Sequence, residues 1–416
     1  MERYSEYKDS GVQWLGEIPG HWKTVRVKAL LSERVDKSDT GLEEPLSMSQ
    51  KYGIIPTKEM DVVPNMASTY IGAKRVFKRD LVFNKLKAHL GVFAISKYDG
   101  LVSPDYAVYT PNERTYLPFM EYVFHTPLYI GEFTRKATGV AIGLTRLYTN
   151  GLFSIPFLYP PIEEQHSIVS YLDDKCGKID KMLEGKQKQI ELLAEMKQRI
   201  IADAVTHGLN PDVKMKATNT PWLPEIPEHW EMSKVSSHFK QRNEKVSDKD
   251  YPALSVSKQG VTPQLANVAL SNAEGSSRKL VKVGDYAVNS RSDRKGSCGV
   301  SKYEGSVSLI TIVLEPFNIY GNYVHYLFRS NPWIEEFYRN GRGIVADLWT
   351  TNYQMMKSMY MPIPPLSEQC AIVSYLDGKT ARIDILTSKL QQEIESIKEY
   401  KQRLISDVVT GQIKVS

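Results

Sequence analysis

Cysteine and long apolar runs are both scarce in this chain of 416 residues. The three cysteines, Cys176, Cys298 and Cys370, lie far apart, so we expect neither a disulfide framework nor a zinc site. No apolar run approaches the roughly 18 residues that span a bilayer, and the acidic start of the chain lacks the features of a signal peptide. These absences predict a cytoplasmic protein with reduced thiols and no membrane partner.

Sequence signals for catalysis are missing as well. There is no His-Glu-x-x-His, no paired Cys-x-x-Cys, and no glycine-rich turn after a strand that would hold a dinucleotide or S-adenosylmethionine. Gly378-Lys379-Thr380 matches the end of a phosphate loop, but Val373 stands where that loop requires a glycine. We therefore predict a non-enzymatic chain with no catalytic residue, no bound metal and no cofactor of its own.

An internal repeat dominates the sequence instead. An opening motif occurs twice, first as Trp14-Leu15…Glu17-Ile18-Pro19…His21-Trp22 and again as Trp222-Leu223…Glu225-Ile226-Pro227…His229-Trp230. A second motif also occurs twice, as Pro160-Pro161-Ile162-Glu163-Glu164-Gln165 and as Pro364-Pro365-Leu366-Ser367-Glu368-Gln369. This period is far longer than the roughly 20–50 residues of solenoid repeats. It predicts two domain-sized copies that act on different ligands, or on two parts of one ligand.

Each copy reads as a mixed α/β domain followed by a long helix. Short apolar or β-branched runs between turn residues predict strands at 91–95, 107–109 and 308–314. The segments 116–126 and 320–329 predict helices that end before a proline. We assign two globular domains to 1–159 and 221–363, two long helices to 160–208 and 364–416, and a linker to 209–220.

The two long helices carry matching hydrophobic seams. From Leu172 to Ala204, and again from Leu376 to Val408, the seam positions alternate spacings of four and three over four heptads, which is typical of a coiled coil. A helix of about 43 residues is roughly 60–65 Å long at ~1.5 Å per residue.

Matched seams in one chain predict that the helices pair with each other. We predict an antiparallel pair centred near residues 185 and 389. That alignment places Lys197 towards Asp377, and Lys401 towards Asp173. Lysine at a seam position costs stability but fixes the register.

Two polar loops in each copy are candidates for contact with nucleic acid. Arginine can fork onto guanine and asparagine onto adenine, and aspartate can accept from cytosine. The first loop supplies Lys85, Lys87 and His89 in one copy, and Asn289, Arg291, Asp293, Arg294 and Lys295 in the other. The second loop, before each Pro-Pro pair, supplies Thr145 and Arg146, and then Arg342 and Trp349.

The repeated motifs resemble those of the specificity subunits of type I restriction–modification systems. Besides the opening and Pro-Pro texts, each helix contains Tyr-Leu-Asp, Ile-Asp and Lys-Gln-Arg, so the resemblance covers essentially the whole chain. It implies a mixed α/β fold in which two target-recognition domains are separated by two long antiparallel coiled-coil helices, with a pseudo-twofold internal repeat. Each domain would read one half of an interrupted site in double-stranded DNA.

The resemblance also implies partners. Two methyltransferase subunits would carry S-adenosylmethionine, and two restriction subunits would use ATP and Mg, while the helices set the spacing of the half-sites and dock the methyltransferases. Two alternatives stay open from the residues: the recognition portion of a single-chain restriction–modification enzyme, and a protein scaffold that does not bind DNA.

Overall fold

The computed structural model describes residues 2–61, 69–139, 145–264, 278–343 and 349–415. The chain divides into two compact units. Unit 1 comprises Met1–Lys186 together with Gln392–Ser416, and unit 2 comprises Gln187–Gln391. Both divisions fall inside long helices, so each unit contains one globular domain and a segment of each long helix.

The globular part of unit 1 is built from short strands and three helices among its described residues. Its strands are β1 (Tyr7–Asp9), β2 (Glu17–Pro19), β3 (Lys23–Arg26), β4 (Leu31–Arg34), β5 (Leu46–Ser49), β6 (Gly53–Pro56), β7 (Lys74–Val76), β8 (Leu81–Asn84), β9 (Phe93–Ile95), β10 (Gly100–Val102), β11 (Tyr106–Pro111) and β12 (Pro156–Tyr159). Its helices are α1 (Leu117–Phe124), α2 (Pro127–Lys136) and α3 (Thr149–Phe153), and the long helix α4 (Ile162–His207) follows.

Unit 2 repeats this order of elements with one additional short strand, Lys245–Val246. Its strands are β13 (Met215–Thr220), β14 (Leu223–Pro227), β15 (Glu231–Lys234), β16 (Phe239–Arg242), β17 (Lys245–Val246), β18 (Leu254–Ser257), β19 (Gly260–Pro263), β20 (Arg278–Val281), β21 (Tyr286–Asn289), β22 (Cys298–Val300), β23 (Gly305–Val307), β24 (Thr311–Pro316) and β25 (Tyr360–Ile363). Its helices are α5 (Gly321–Leu327), α6 (Asn331–Arg339) and α7 (Tyr353–Met356), and the long helix α8 (Leu366–Val409) follows. Strand β13 lies inside the segment assigned to the linker, where it pairs with β14.

A four-stranded antiparallel sheet has the same order in both units. It runs β4-β11-β8-β9 in unit 1 and β16-β24-β21-β22 in unit 2. Aromatic rings fill the space between sheet and helices: Phe83 stacks on Phe93 with ring centroids 4.5 Å apart, and Phe328 stacks on Trp333 at 4.4 Å. The mixed α/β fold predicted from the sequence is therefore confirmed, and this sheet has the same strand order in both copies.

The two repeated sequence motifs meet at the start of each long helix. His21, from the opening motif, lies 2.8 Å from a carboxylate oxygen of Glu164 in the first turn of α4. His229 and Glu368 make the same contact at 2.8 Å in unit 2. The two motifs recur together because each forms one half of this junction between domain and helix.

Each hydrophobic core is completed by the final turns of a long helix. In unit 1, Leu404 and Val408 of α8 are buried in the same cluster as Leu172 of α4. In unit 2, Val205 of α4 is buried in the same cluster as Leu376 of α8. Every predicted seam position is buried or half-buried, which agrees with the coiled coil predicted from the heptads.

Within each unit the two helix segments run antiparallel, but the predicted ion pairs were wrong. Lys401 Nζ lies 2.6 Å from Asp180 Oδ1 in unit 1, and Lys197 Nζ lies 2.6 Å from Asp384 Oδ1 in unit 2. Both partners stand one heptad beyond the predicted Asp173 and Asp377, and a slip of one heptad leaves the apolar seam matched.

Contacts from outside the seam explain this register. The Tyr122 hydroxyl donates to Asp173 at 2.7 Å, and the Tyr326 hydroxyl donates to Asp377 at 2.6 Å. Each acid that was predicted to meet a seam lysine is therefore held by a tyrosine of the adjoining globular domain. The lysines bind the acid that stands one heptad further along the helix instead.

A buried ion pair fixes the central strand of each sheet. In unit 1, Arg34 donates to Asp80 from Nε at 2.8 Å and from Nη2 at 3.0 Å, and the Phe77 backbone N–H adds a third bond at 2.8 Å. Arg242 and Asp285 repeat the fork at 2.6 and 3.1 Å. The Asp80 carboxylate is only 3% exposed, so its charge depends on these donors.

Removing the buried carboxylate tests this role. Asp80→Ala leaves the Arg34 guanidinium and the Phe77 N–H without their partner, so we expect it to lower the free energy of unfolding by about 3–5 kcal/mol. Hydrogen exchange in increasing urea, read on peptides covering Leu81–Asn84, would report the loss. Asp174→Ala is the control, because its pair with Lys178 is exposed and contributes at most about 1 kcal/mol. Equal effects of the two substitutions would contradict the anchoring role.

Candidate nucleic-acid interface

An asparagine turn ends the anchored strand in each unit. The Asn84 side-chain oxygen accepts from the backbone N–H of Leu86 at 3.1 Å. The Asn289 oxygen accepts from the backbone N–H of Arg291 at 3.2 Å. Such asparagine turns fix the local backbone independently of the side chain that follows. The same turn therefore presents Leu86 in unit 1 and Arg291 in unit 2.

Both candidate loops of unit 2 are neighbours. The Ser292 N–H donates to the carbonyl of Trp349 at 2.9 Å, and the Thr351 N–H donates to the carbonyl of Ser290 at 3.0 Å. Arg342 and Thr350 exchange two backbone bonds, each of 3.1 Å. Of the loop between Arg342 and Trp349, residues 344–348 lie outside the described part. The remaining candidate residues of this unit form one continuous surface.

The charged side chains that follow Asn289 on this surface already have partners. Arg291 forks onto Asp293 with distances of 2.9 and 3.1 Å, and Arg294 Nε lies 3.6 Å from the same carboxylate. Lys295 Nζ lies 2.9 Å from both carboxylate oxygens of Glu335 in α6. Beside them is a cleft of about 750 Å³, lined among others by Trp222, Tyr338 and Trp349. Arg291 and Arg294 thus lie beside one carboxylate, that of Asp293, while Lys295 binds Glu335.

Unit 1 also brings its two candidate loops together. The Leu147 N–H donates to the carbonyl of Lys85 at 3.0 Å. Arg146 exchanges backbone bonds with Thr138, and its Nη2 lies 3.4 Å from Asp105. Thr145 is half-buried at the edge of this loop, whose preceding residues 140–144 lie outside the described part. The placement of the loops matches unit 2, although their residues differ.

The electrostatic character of the unit 1 surface is different. Burial lowers the pKa of Lys74, and the nearby positive charge of Lys85 lowers it further. Lys87 is exposed, and His89 lies half-buried in a short 3-10 turn, Ala88–Leu90. Clustered lysines without a forked arginine suit phosphate oxygens better than base edges.

Two residues of these surfaces were missed from the sequence. Leu86 was passed over because it is apolar, although it occupies the position of Arg291. Glu335 was passed over because 40 residues separate it from Lys295, and that contact follows only from the packing of α6 against the loop. Leu86 and Arg291 each stand two residues after an asparagine, and this shared spacing was the sequence signal that could have identified Leu86.

Among the described residues, no group of three or more histidines, cysteines or acids is placed to hold a metal ion. Cys176 and Cys298 are buried free thiols, and burial raises the pKa of Cys298 to about 11. None of the helices described is long and apolar enough to cross a membrane.

The sequence of the chain is similar to that of a type I specificity subunit. A protein of Methanocaldococcus jannaschii, named provisionally as the MjaX type I restriction enzyme specificity subunit, is 22% identical over 431 residues and is matched over 96% of both chains. No family model matches the sequence.

Solved structures show the same fold. A chain from a study of complex assembly and conformational transition of the type I restriction–modification system aligns with a TM-score of 0.69 at 15% identity, over 95% of this chain and 99% of that one. The HsdS subunit from Thermoanaerobacter tengcongensis aligns with a TM-score of 0.50 at 15% identity, over 95% and 98%. The resemblance to type I specificity subunits and the fold that it implied are thereby confirmed.

Proposed function

We propose that this chain is the DNA-reading specificity subunit of a type I restriction–modification complex and performs no catalytic step itself. The observation that carries the proposal is the matched asparagine turn, which presents Leu86 in one unit and Arg291 in the other. One scaffold used twice with different presented side chains is what reading two different half-sites of double-stranded DNA requires. Catalysis would belong to partners that bring S-adenosylmethionine, ATP and Mg.

The methyltransferase subunits would dock on apolar side chains of the long helices. In unit 1, Met182 is 54% exposed and Tyr400 is 51% exposed. In unit 2, Leu386 and Met196, at the matching repeat positions, are 49% and 45% exposed. Large apolar side chains left in solvent at corresponding places indicate protein contact sites. One such pair in each unit supports two methyltransferase subunits for each chain, to which two restriction subunits would be added.

Two other functions remain possible alternatives. A single-chain restriction–modification enzyme with a fused recognition region would carry methylase and nuclease motifs, which these 416 residues lack. A scaffold without DNA contact would leave the difference between the two presented side chains unused. A scaffold predicts no effect of loop substitutions on DNA binding, so these substitutions distinguish it from a DNA-reading chain. The recognition region of a single-chain enzyme would respond to them as a specificity subunit does.

The loop substitutions give the direct test. In the complex purified with its partner subunits, we expect Lys85→Ala to weaken binding to all sequences and to reduce the salt slope by ~1, as loss of one phosphate contact does. We expect Arg291→Ala to relax discrimination in the second half-site, at about 1–3 kcal/mol. Lys295→Ala should change little, because Glu335 already binds that ammonium group. Binding would be measured on duplexes altered in one half-site at a time.

The outcomes separate the hypotheses. If neither Lys85→Ala nor Arg291→Ala changed DNA binding by the complex, the scaffold alternative would be favoured. If Arg291→Ala left discrimination at the second half-site intact, the loop of Arg342 and Trp349 would become the better candidate for reading it.

Helix length should set the unread gap between half-sites. Inserting one heptad after Lys186 in α4 and one after Gln391 in α8 keeps both seams matched and adds about 10 Å to each helix. At ~3.4 Å per base step, we expect the gap to lengthen by about three base pairs while the half-sites keep their sequence. Sequencing the methylated motif in cells carrying the insertion would show this. An unchanged gap in an active complex would show that the helices do not set the spacing.

The apolar pairs make a separate prediction about assembly. Met182→Asp with Tyr400→Asp should remove one methyltransferase subunit, and Leu386→Asp with Met196→Asp should remove the other, because a buried charge opposes docking. Native mass spectrometry of the purified complex would count the subunits that remain. Arg199→Asp with Arg403→Asp is the matched control, since both arginines are 83% exposed on the same helices. Equal loss in the control would remove the apolar pairs as docking sites.

A further inference from the structure

Arg291 is held more firmly than any other cation of its loop. Its backbone N–H is bound by Asn289, and the backbone on both sides is tied to the neighbouring loop through Trp349 and Thr351. Its guanidinium donates to Asp293 from Nε at 2.9 Å and from Nη2 at 3.1 Å. Main chain and side chain are therefore both positioned before any ligand arrives.

The fork onto Asp293 leaves a defined set of donors. A guanidinium has five N–H groups. Asp293 accepts two of them, one from Nε and one from Nη2. No described residue accepts from either N–H group of Nη1 or from the second N–H group of Nη2, and these groups form the opposite edge of the planar group. A bidentate arginine contact to the O6 and N7 acceptors of guanine in the major groove needs two neighbouring donors on such an edge.

The neighbouring cations are not arranged in this way. Arg294 is 64% exposed and approaches Asp293 only to 3.6 Å, so its side chain is not held by a hydrogen-bonded fork. Lys295 has no planar fork and is bound by Glu335. Among the three cations that follow Asn289 in this loop, Arg291 alone combines a fixed orientation with a donor edge that no described residue occupies.

We infer that Asp293 is a positioning residue that aims Arg291 at a guanine, so that the second half-site contains a G·C pair read in the major groove. This inference rests on the proposed function and deepens it. It also changes the role expected for Asp293, which the sequence suggested as an acceptor from cytosine. A carboxylate that already accepts two hydrogen bonds from Arg291 orients that arginine, so we no longer assign it a base contact.

Unit 1 supplies an internal contrast. At the matched position its turn presents Leu86, which has no donor and suits contact with the methyl group of thymine. Guanine recognition by this turn is therefore confined to the half-site read by unit 2. Substitutions at Asp293 should leave recognition of the first half-site unchanged.

The experiment measures binding of the purified complex to duplexes carrying the methylated motif, with 7-deazaguanine replacing each guanine in turn. This analogue removes the N7 acceptor and retains the base pair. We expect the wild-type complex to lose roughly 10-fold in affinity at one guanine of the second half-site, within the range for a bidentate contact. Arg291→Ala should abolish that sensitivity, and Asp293→Asn should reduce it several-fold while Asp293→Glu restores part of it.

A matched control distinguishes loss of guanine recognition from a general loss of structure. Arg135 forks onto Glu132 in unit 1 with distances of 2.7 and 2.6 Å, so Arg135→Ala removes a similar fork away from the second half-site. It should leave the 7-deazaguanine penalty unchanged. An Asp293 variant that only loosened the fold would weaken binding to all duplexes alike and keep the penalty ratio.

The outcomes distinguish failure of the inference from failure of the function. If the complex binds its motif but the second half-site lacks guanine on both strands, or if Asp293→Asn keeps the full penalty, the inference is wrong and the DNA-reading function stands. If the complex binds no DNA in a sequence-dependent way, the proposed function fails and the inference fails with it.

Discussion

A buried carboxylate at the start of one strand determines where each candidate reading loop lies. Asp80 and Asp285 each accept an arginine fork and a backbone N–H, and such an acid is tolerated in a core only while all these bonds are made. Four residues further on, Asn84 or Asn289 ends the strand and forms the turn. Since the anchor and the turn are identical in both units, the side chains that the turn presents can differ without disturbing the sheet.

The helices impose a second constraint, because neither globular domain has a complete core without them. Final turns of α8 close the core of unit 1, and final turns of α4 close that of unit 2. The seam lysines then select one register among those that the heptads permit. Their acidic partners, Asp180 and Asp384, stand one heptad beyond the acids that the domain tyrosines bind.

Local pattern was enough to predict the repeat, the strands near 91–95, 107–109 and 308–314, and the heptad seam. The pairing partner of Lys197 was not predictable in this way, because a seven-residue repeat looks the same after a slip of seven and the deciding contact comes from Tyr326 outside the seam. Bonds between residues far apart in sequence, such as Arg34 with Asp80, leave no spacing signal. The Arg291–Asp293 fork was within reach of the sequence, but the two residues were read there as separate base contacts.

The division of the chain into units has a consequence for its biosynthesis. Residues 187–391 are contiguous, so unit 2 has all its parts as soon as they leave the ribosome. Unit 1 needs residues from Gln392 onwards, which are translated about 200 residues after Lys186, roughly 10–40 s later at ~5–20 residues per second. During that delay the surface that will receive Leu404 and Val408 stays uncovered. The unit whose translation begins first is thus completed last, and part of its apolar core waits for residues at the other end of the chain.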